Sequence, residues 1–308
     1  MRRFWRIKSS IASEEINSCQ YKIGKILGKG GFGKVHEGTR LSDGLKVAVK
    51  FVTKSDEDEY ISIPGHPELL MQEVALQILI SKGDKVPEII QLLDWQEHAD
   101  RYVMVLERFA PCKDLSMFLK EDELDEYLAN IDMFQATRAA LICCKRGVLH
   151  RDIKLQNLLI STDYTFEVKL IDFGCGDLLK ESAYDSYMGT EDYTCPEFYE
   201  TGEYHGKPAT VYSLGVLLLV MICRRIPSSK DFDRINQKIW CKDGFSEECC
   251  SLVQACLQEY PKEPIQLRQI IKHKWFQLRE TIAAHIAFAE GFGVVQQSGP
   301  WFHTSGLG

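Results

Sequence analysis

From Tyr21 to Phe51 apolar and polar residues interchange at short intervals in KIGKILGKG, KVHEGTR and KVAVKFV, with glycines and an SDG at 42–44 between them. That pattern predicts three antiparallel strands and a hairpin. SDEDEYISIPGHP (55–67) is polar and carries two prolines, so it reads as loop. In ELLMQEVALQILISK (68–82) apolar residues at 69, 70, 74, 76, 78 and 79 predict a helix. IIQLLDWQE and RYVMVLERF return to a strand pattern. After Pro111 the character changes. Residues 114–120 and about 124–146 read as helical, with Leu124, Leu128, Ile131, Phe134 and Leu141 along one face. Short strands are expected near 157–160 and 167–171, and mostly helix from about 208. The chain is thus α+β: a small β-rich lobe with one main helix, then a larger α-rich lobe. The boundaries fall as an N-terminal extension (1–19), a first lobe (20–108), a second lobe (109–277) and a tail (278–308). The tail ends in VVQQSGPWFHTSGLG, which fits no pattern.

Composition narrows the class. The 308 residues are 45% hydrophobic and 26% charged, as expected of a soluble globular protein with a sizeable core. The net charge of -7 offers no surface suited to nucleic acid or anionic membrane. Eleven cysteines without a C-x-x-C pair read as reduced thiols of a cytoplasmic or nuclear protein. MRRFWRIKSS is basic but has no apolar core of a signal peptide; it reads as a frayed tail or a weak surface patch. VYSLGVLLLVMIC (211–223) is too short to span a bilayer and reads as a buried helix.

Five stretches carry chemistry. In LGKGGFGKV, Gly28, Gly30 and Gly33 form G-x-G-x-x-G. A dinucleotide site would need a helix next. Here a strand pattern follows, which suits a flap of backbone N–H groups over phosphates, with Val35 against a base. A glycine-rich hairpin without ligand fits the same residues. Lys50 closes the apolar VAVK and would place a charge on α- and β-phosphates; Glu73, in the middle of a helix among apolar neighbours, would pair with it. In HRDIKLQN, Asp152 would orient the proton of an attacking hydroxyl, Lys154 would neutralise a transferring phosphoryl group, and Asn157 would bind a metal. His150 reads as a packed core residue. Asp172, in LIDFGCG, suits a Mg2+ ligand, because Mg2+ takes few protein oxygens and completes its shell with phosphates.

In order and at these spacings, the set resembles the eukaryotic protein kinases over roughly residues 20–277. Lys154, two after Asp152, matches the serine/threonine version. IIQLLDW, VLERF, KDL, GVLHRDIK, KLIDFGCGDLLK, YHGKPATVYSLGVLLL, RRIP and IIKHKWF resemble the Pim family, as does Thr210 where most kinases have Asp. The resemblance implies a two-lobed protein-kinase fold and transfer of the γ-phosphoryl group of ATP, with Mg2+, to Ser or Thr of protein substrates. It implies a monomer with no stable membrane association. The alternative is a pseudokinase that binds nucleotide or scaffolds. The resemblance further assigns Leu27, Gly28, Gly30, Gly33, Val35, Ala48 and Lys50 to nucleotide binding. It makes Leu106 the gatekeeper, Glu107 the hinge carbonyl and Phe109 a hinge donor.

Several positions depart from that pattern. The Pim family usually has proline where this chain has Phe109, so an N–H is regained and tighter ATP binding is expected. Asp114 and Asp231 match acidic positions that meet substrate arginines. Met117, Leu155, Gln156 and Arg225 stand where others would be, so weaker arginine preference is expected. Glu197 of the CPE motif normally pairs with an Arg, but Pro264 stands at the matching position. Ser182, Tyr184, Ser186, Tyr187 and Thr190 lie in the activation segment (172–197), and Arg151 is placed to bind a phosphate there. Control of that kind is not expected for a Pim-like chain. Cys175 reads as an inert core thiol.

Overall fold

The computed structural model describes residues 13–277 except 32, 123, 164 and 259–264. MRRFWRIKSS, Pro264 and the tail from 278 lie outside the described residues. The first lobe holds β1 (Ser13–Ile16), β2 (Cys19–Gly30), β3 (Gly33–Arg40), β4 (Lys46–Thr53), β5 (Tyr60–Ile61), β6 (Leu70–Met71), helix α1 (Gln72–Ser81), β7 (Leu92–Glu97) and β8 (Arg101–Glu107). Six of the strands form one sheet in the order β1-β2-β3-β4-β8-β7, antiparallel throughout. The two-residue period of a strand sorts β4. Val47 and Val49 pack with Ile16, Tyr21, Val103 and Val105 on one face. Val52 turns to the other face, against Met71, Val74, Tyr102 and Met104. Lys50 shares that second face, toward α1.

This lobe departs from the sequence pattern in three places. Ser13–Ile16, assigned to the extension, is an edge strand; Asn17 and Ser18 both take positive φ (47° and 67°) and form its two-residue hairpin turn. The segment 55–67 is not all loop, because Tyr60–Ile61 pairs with Leu70–Met71. That pairing delays α1 to Gln72.

The second lobe begins with β9 (Cys112–Asp114), which the sequence pattern did not show. It continues through α2 (Leu115–Glu121), α3 (Glu126–Lys145), β10 (Val148–Leu149), β11 (Leu158–Ser161), β12 (Val168–Leu170), β13 (Asp177–Leu178), α4 (Pro196–Thr201), α5 (Gly206–Cys223), α6 (Ser229–Asn236), α7 (Glu247–Leu257) and α8 (Leu267–Ile270). Asp125 caps α3 by accepting the Leu128 N–H at 2.8 Å. The predicted apolar stripe of α3 is only part of its buried surface. Leu128, Ile131, Phe134 and Leu141 are half-buried, while Ala129, Met133, Ala136, Ala140 and Cys143 are fully packed. The helix α5 is longer than the apolar run at 211–223. By length and composition it is able to cross a membrane, yet 67% of it is buried inside the protein, as a core helix. All eleven cysteines are free.

Candidate active site

The glycine loop is a hairpin between β2 and β3. Gly30 faces Gly33 across it, and Gly28 faces Val35. No helix follows, so the strand–loop–strand expectation holds. Gly33 has φ +130°, and a Cβ there would lie 2.2 Å from the Phe51 carbonyl oxygen. Gly28 and Gly30 open onto empty space, with nothing within 4 Å of an added Cβ. The loop therefore combines one position that only glycine fits with two that leave room beneath the backbone. Leu27 borders it, more than a third exposed.

Register brings the rest of the nucleotide face together. Val35 pairs with Lys50, Glu37 with Ala48, and Ala48 with Leu106 across the sheet. Lys50 is buried, and its Nζ meets Glu73 Oε1 and, at 2.7 Å, Asp172 Oδ1. Burial disfavours the charged Lys50. The Glu73 and Asp172 carboxylates outweigh it and hold the ammonium protonated above its ordinary range. Burial also opposes charge on Asp172, yet Lys50 and the Gly174 N–H keep its carboxyl below the usual value. Asp172 is thus a hard anionic oxygen donor at neutral pH.

The HRD segment forms the floor. Asp152 is buried and sits in a lattice of hydrogen bonds. Its Oδ2 accepts Lys154 Nζ at 2.7 Å and Asn157 Nδ2 at 2.8 Å, and its Oδ1 accepts the Thr190 hydroxyl at 2.7 Å. Lys154 also donates to Thr190 Oγ1 at 2.6 Å. Asn157 spends its Nδ2 on Asp152, and among the described residues no donor bonds its carbonyl oxygen, which is the atom that would meet a cation. One amide oxygen and one carboxylate, on adjoining segments, fit an ion completed by phosphates. His150 is a core residue as expected. Burial lowers its pKa, its Nε2 lies 3.1 Å from the Ile171 carbonyl, and its ring packs on Phe173 at 4.8 Å. Arg151 and Asp172 both take φ 64°, a conformation costing non-glycine residues roughly 1 kcal/mol or more and typical of sites that over-determine their backbone.

The sequence marks Thr190 only as a modification candidate. The structure joins it to Asp152 and Lys154. Nothing local marks it, because its partners lie 36 and 38 residues away.

At the hinge, Glu107 anchors by its carboxylate between Lys85 and Lys169, each at 2.9 Å, and its N–H donates to the Gln91 carbonyl at 2.9 Å. The Phe109 carbonyl accepts Arg108 Nη1 and Cys112 Sγ, both at 2.9 Å, and Lys169 lies over its ring. Among the described residues no group accepts the Phe109 N–H, so it remains available to a ligand.

The departures also find their places. Glu197 accepts the backbone N–H of His205 at 2.9 Å, so the start of α5 replaces the expected arginine. Asp231 is held by Arg225 in a bidentate pair at 2.7 and 2.9 Å and caps α6 through Ser228; Arg225 keeps its carboxyl far below the usual range. Asp114 caps α2 by accepting the Met117 N–H at 2.9 Å. Met117 and Gln156 are exposed, and Leu155 is buried. Burial pushes the Cys175 thiol up to about 11, consistent with an inert residue.

The protein kinase domain family matches residues 21–276. The serine/threonine-protein kinase pim-2 of Danio rerio is 40% identical over 262 residues, covering 83% of this chain and 84% of that protein. The serine/threonine-protein kinase prk-2 of Caenorhabditis elegans is 34% identical over 261 residues, 83% of this chain and 58% of that protein. The serine/threonine-protein kinase SIK2 of Gallus gallus is 29% identical over 266 residues, 83% of this chain and 32% of that protein. With a family match over most of its length and a fold and site of this geometry, the chain belongs to the protein kinase family, as a Pim-like member.

Proposed function

We propose that this chain transfers the γ-phosphoryl group of ATP to Ser or Thr hydroxyls of protein substrates, with Mg2+ as the metal. The observation that carries this reading is the joining of Lys50, Glu73 and Asp172 into one charged chain beside the Asp152–Lys154–Thr190 cluster. Gly28, Gly30 and Gly33 cover the phosphates. Lys50, oriented by Glu73, holds the α- and β-phosphates. Leu27, Val35, Ala48 and Leu106 enclose the base, the Glu107 carbonyl meets its amino group, and the Phe109 N–H donates to its ring. Asp172 and the Asn157 carbonyl oxygen would hold Mg2+, which would supply positive charge against the phosphates. Asp152 accepts the acceptor hydroxyl's proton or orients it, and Lys154 stabilises the transferring group. No covalent intermediate on the protein is required; positioning and electrostatics suffice.

A scaffolding pseudokinase would be expected to have lost a residue that touches phosphate or metal. Here Lys50, Glu73, Asp152, Lys154, Asn157 and Asp172 are all present and each is bonded to another of the set, which supports the catalytic reading. Substrate choice departs from arginine-rich peptides, because Asp231 is taken by Arg225 and Asp114 by a helix cap. The protein works as a monomer in the cytoplasm or nucleus and binds neither nucleic acid nor membrane stably. Acceptor chemistry tests the reading: matched peptides with Ser, Thr or Tyr at the acceptor position should be phosphorylated at Ser and Thr only, and transfer to Tyr at a comparable rate would refute it.

A further inference from the structure

We propose that Gln72 is a positioning residue for phosphoryl transfer: its side-chain amide ties α1 to the backbone after Asp172-Phe173-Gly174 and keeps Glu73 beside Lys50 without a phosphate. This rests on the kinase reading above.

Gln72 is the first residue of α1, next to Glu73. Its Nε2 donates to the Gly176 carbonyl at 2.7 Å. The same carbonyl accepts Arg151 Nη2 at 3.0 Å, and Arg151 Nε donates to the Cys175 carbonyl at 2.5 Å. One oxygen therefore joins the helix that carries Glu73 to the segment that carries Asp152. The contact is close by construction. A Cβ on Gly176 would lie 2.7 Å from Leu76 Cδ1 and 3.0 Å from the Phe173 carbonyl oxygen, so a side chain there would press on α1 and on the turn beneath it. At its far end α1 is tied again, where Arg146 donates to the Ile80 carbonyl and, at 2.7 Å, to the Asp84 carbonyl.

Successive helix residues point about 100° apart, so turning α1 enough to withdraw Glu73 also pulls Gln72 off Gly176. The competent state of a kinase requires the Lys–Glu pair, and placement of this helix is a common point of control. A neutral amide on a backbone carbonyl biases α1 toward that placement without a charged group. Arg151 is already spent on Cys175, Gly176 and Asp177, and so is not waiting for a phosphate.

The test compares the full chain with Gln72→Leu, Gln72→Lys and Lys50→Met, using Mg2+–ATP and a Ser/Thr peptide. Gln72→Leu should lower kcat/KM for ATP about fivefold, the effect of one net hydrogen bond, and leave the peptide KM unchanged. Amide hydrogen exchange across α1 should quicken in the same variant. Gln72→Lys restores a donor and should recover both. Unchanged kcat/KM and unchanged α1 exchange in Gln72→Leu would overturn the tie. So would a loss of activity that follows Tm in both variants without rescue by Lys, since that marks a merely structural role. Wild type as inactive as Lys50→Met would remove the kinase reading, and this proposal with it.

Discussion

Asp132 lies in the middle of α3, fully buried, and among the described residues neither of its oxygens has a hydrogen-bond partner. Desolvation pushes its pKa up to about 8. An unfolded Asp ionises near 4, so between these values the unfolded chain has released a proton that the native chain retains. Stability is therefore full below about pH 4, falls by up to about 1.4 kcal/mol per pH unit as pH rises toward 8, and is level above that. Asp132→Asn should flatten this slope. Thermal melts should show little difference from wild type at pH 4.5 and a higher Tm for the variant at pH 8.5; parallel slopes would contradict the assignment. Phe109 carries a second residue-scale prediction. Phe109→Pro removes the unengaged hinge N–H and should raise the ATP KM roughly fivefold, as measured at saturating peptide. The sequence exposed this second case because proline is the one residue that cannot donate. It hid the first, because an Asp in a helix gives no sign of which face will be buried.

Among the elements, the activation segment departs most from a phosphate-controlled design. Tyr184 is buried, its ring stacks on Tyr204 at 5.2 Å, and its hydroxyl bridges the Lys180 N–H and the Leu178 carbonyl. Tyr187 and Phe198 complete this cluster. Apolar packing thus fixes a segment that elsewhere needs an arginine–phosphate contact. Phosphatase treatment should leave peptide phosphorylation unchanged, and its loss would show that a modification completes the segment. Thr190 links this element to the catalytic loop. Thr190→Val removes the hydroxyl between Asp152 and Lys154 and should cut kcat by roughly tenfold to a hundredfold with little change in ATP KM. Strand–loop–strand order, the helix carrying Glu73 and the HRD and DFG positions were legible because each carries its own local pattern. Thr190, Gln72 and β9 were not, because each gains its role from a partner brought in by the fold. The strand β1 was not legible either, because its four residues are too few to show a pattern.

For the molecule as a whole, charge contacts join the lobes around the cleft. Lys50 reaches Asp172, Lys169 reaches Glu107 and the Pro87 carbonyl, and Arg138 reaches Glu88. The outer rim is different, since the acids that resemble arginine-binding positions are engaged internally. An array of Ser/Thr peptides should show upstream arginines contributing less than an order of magnitude in rate, and Arg225→Ala should strengthen their effect by freeing Asp231. An array dominated by upstream arginine in the wild type would contradict this. The most direct measurement is Mg2+- and ATP-dependent phosphorylation of a mixed Ser/Thr peptide library by the purified chain, beside Lys50→Met and Asp172→Asn. The account predicts robust transfer by wild type and loss of at least about a hundredfold in each variant. Folded wild type no more active than either variant would contradict it.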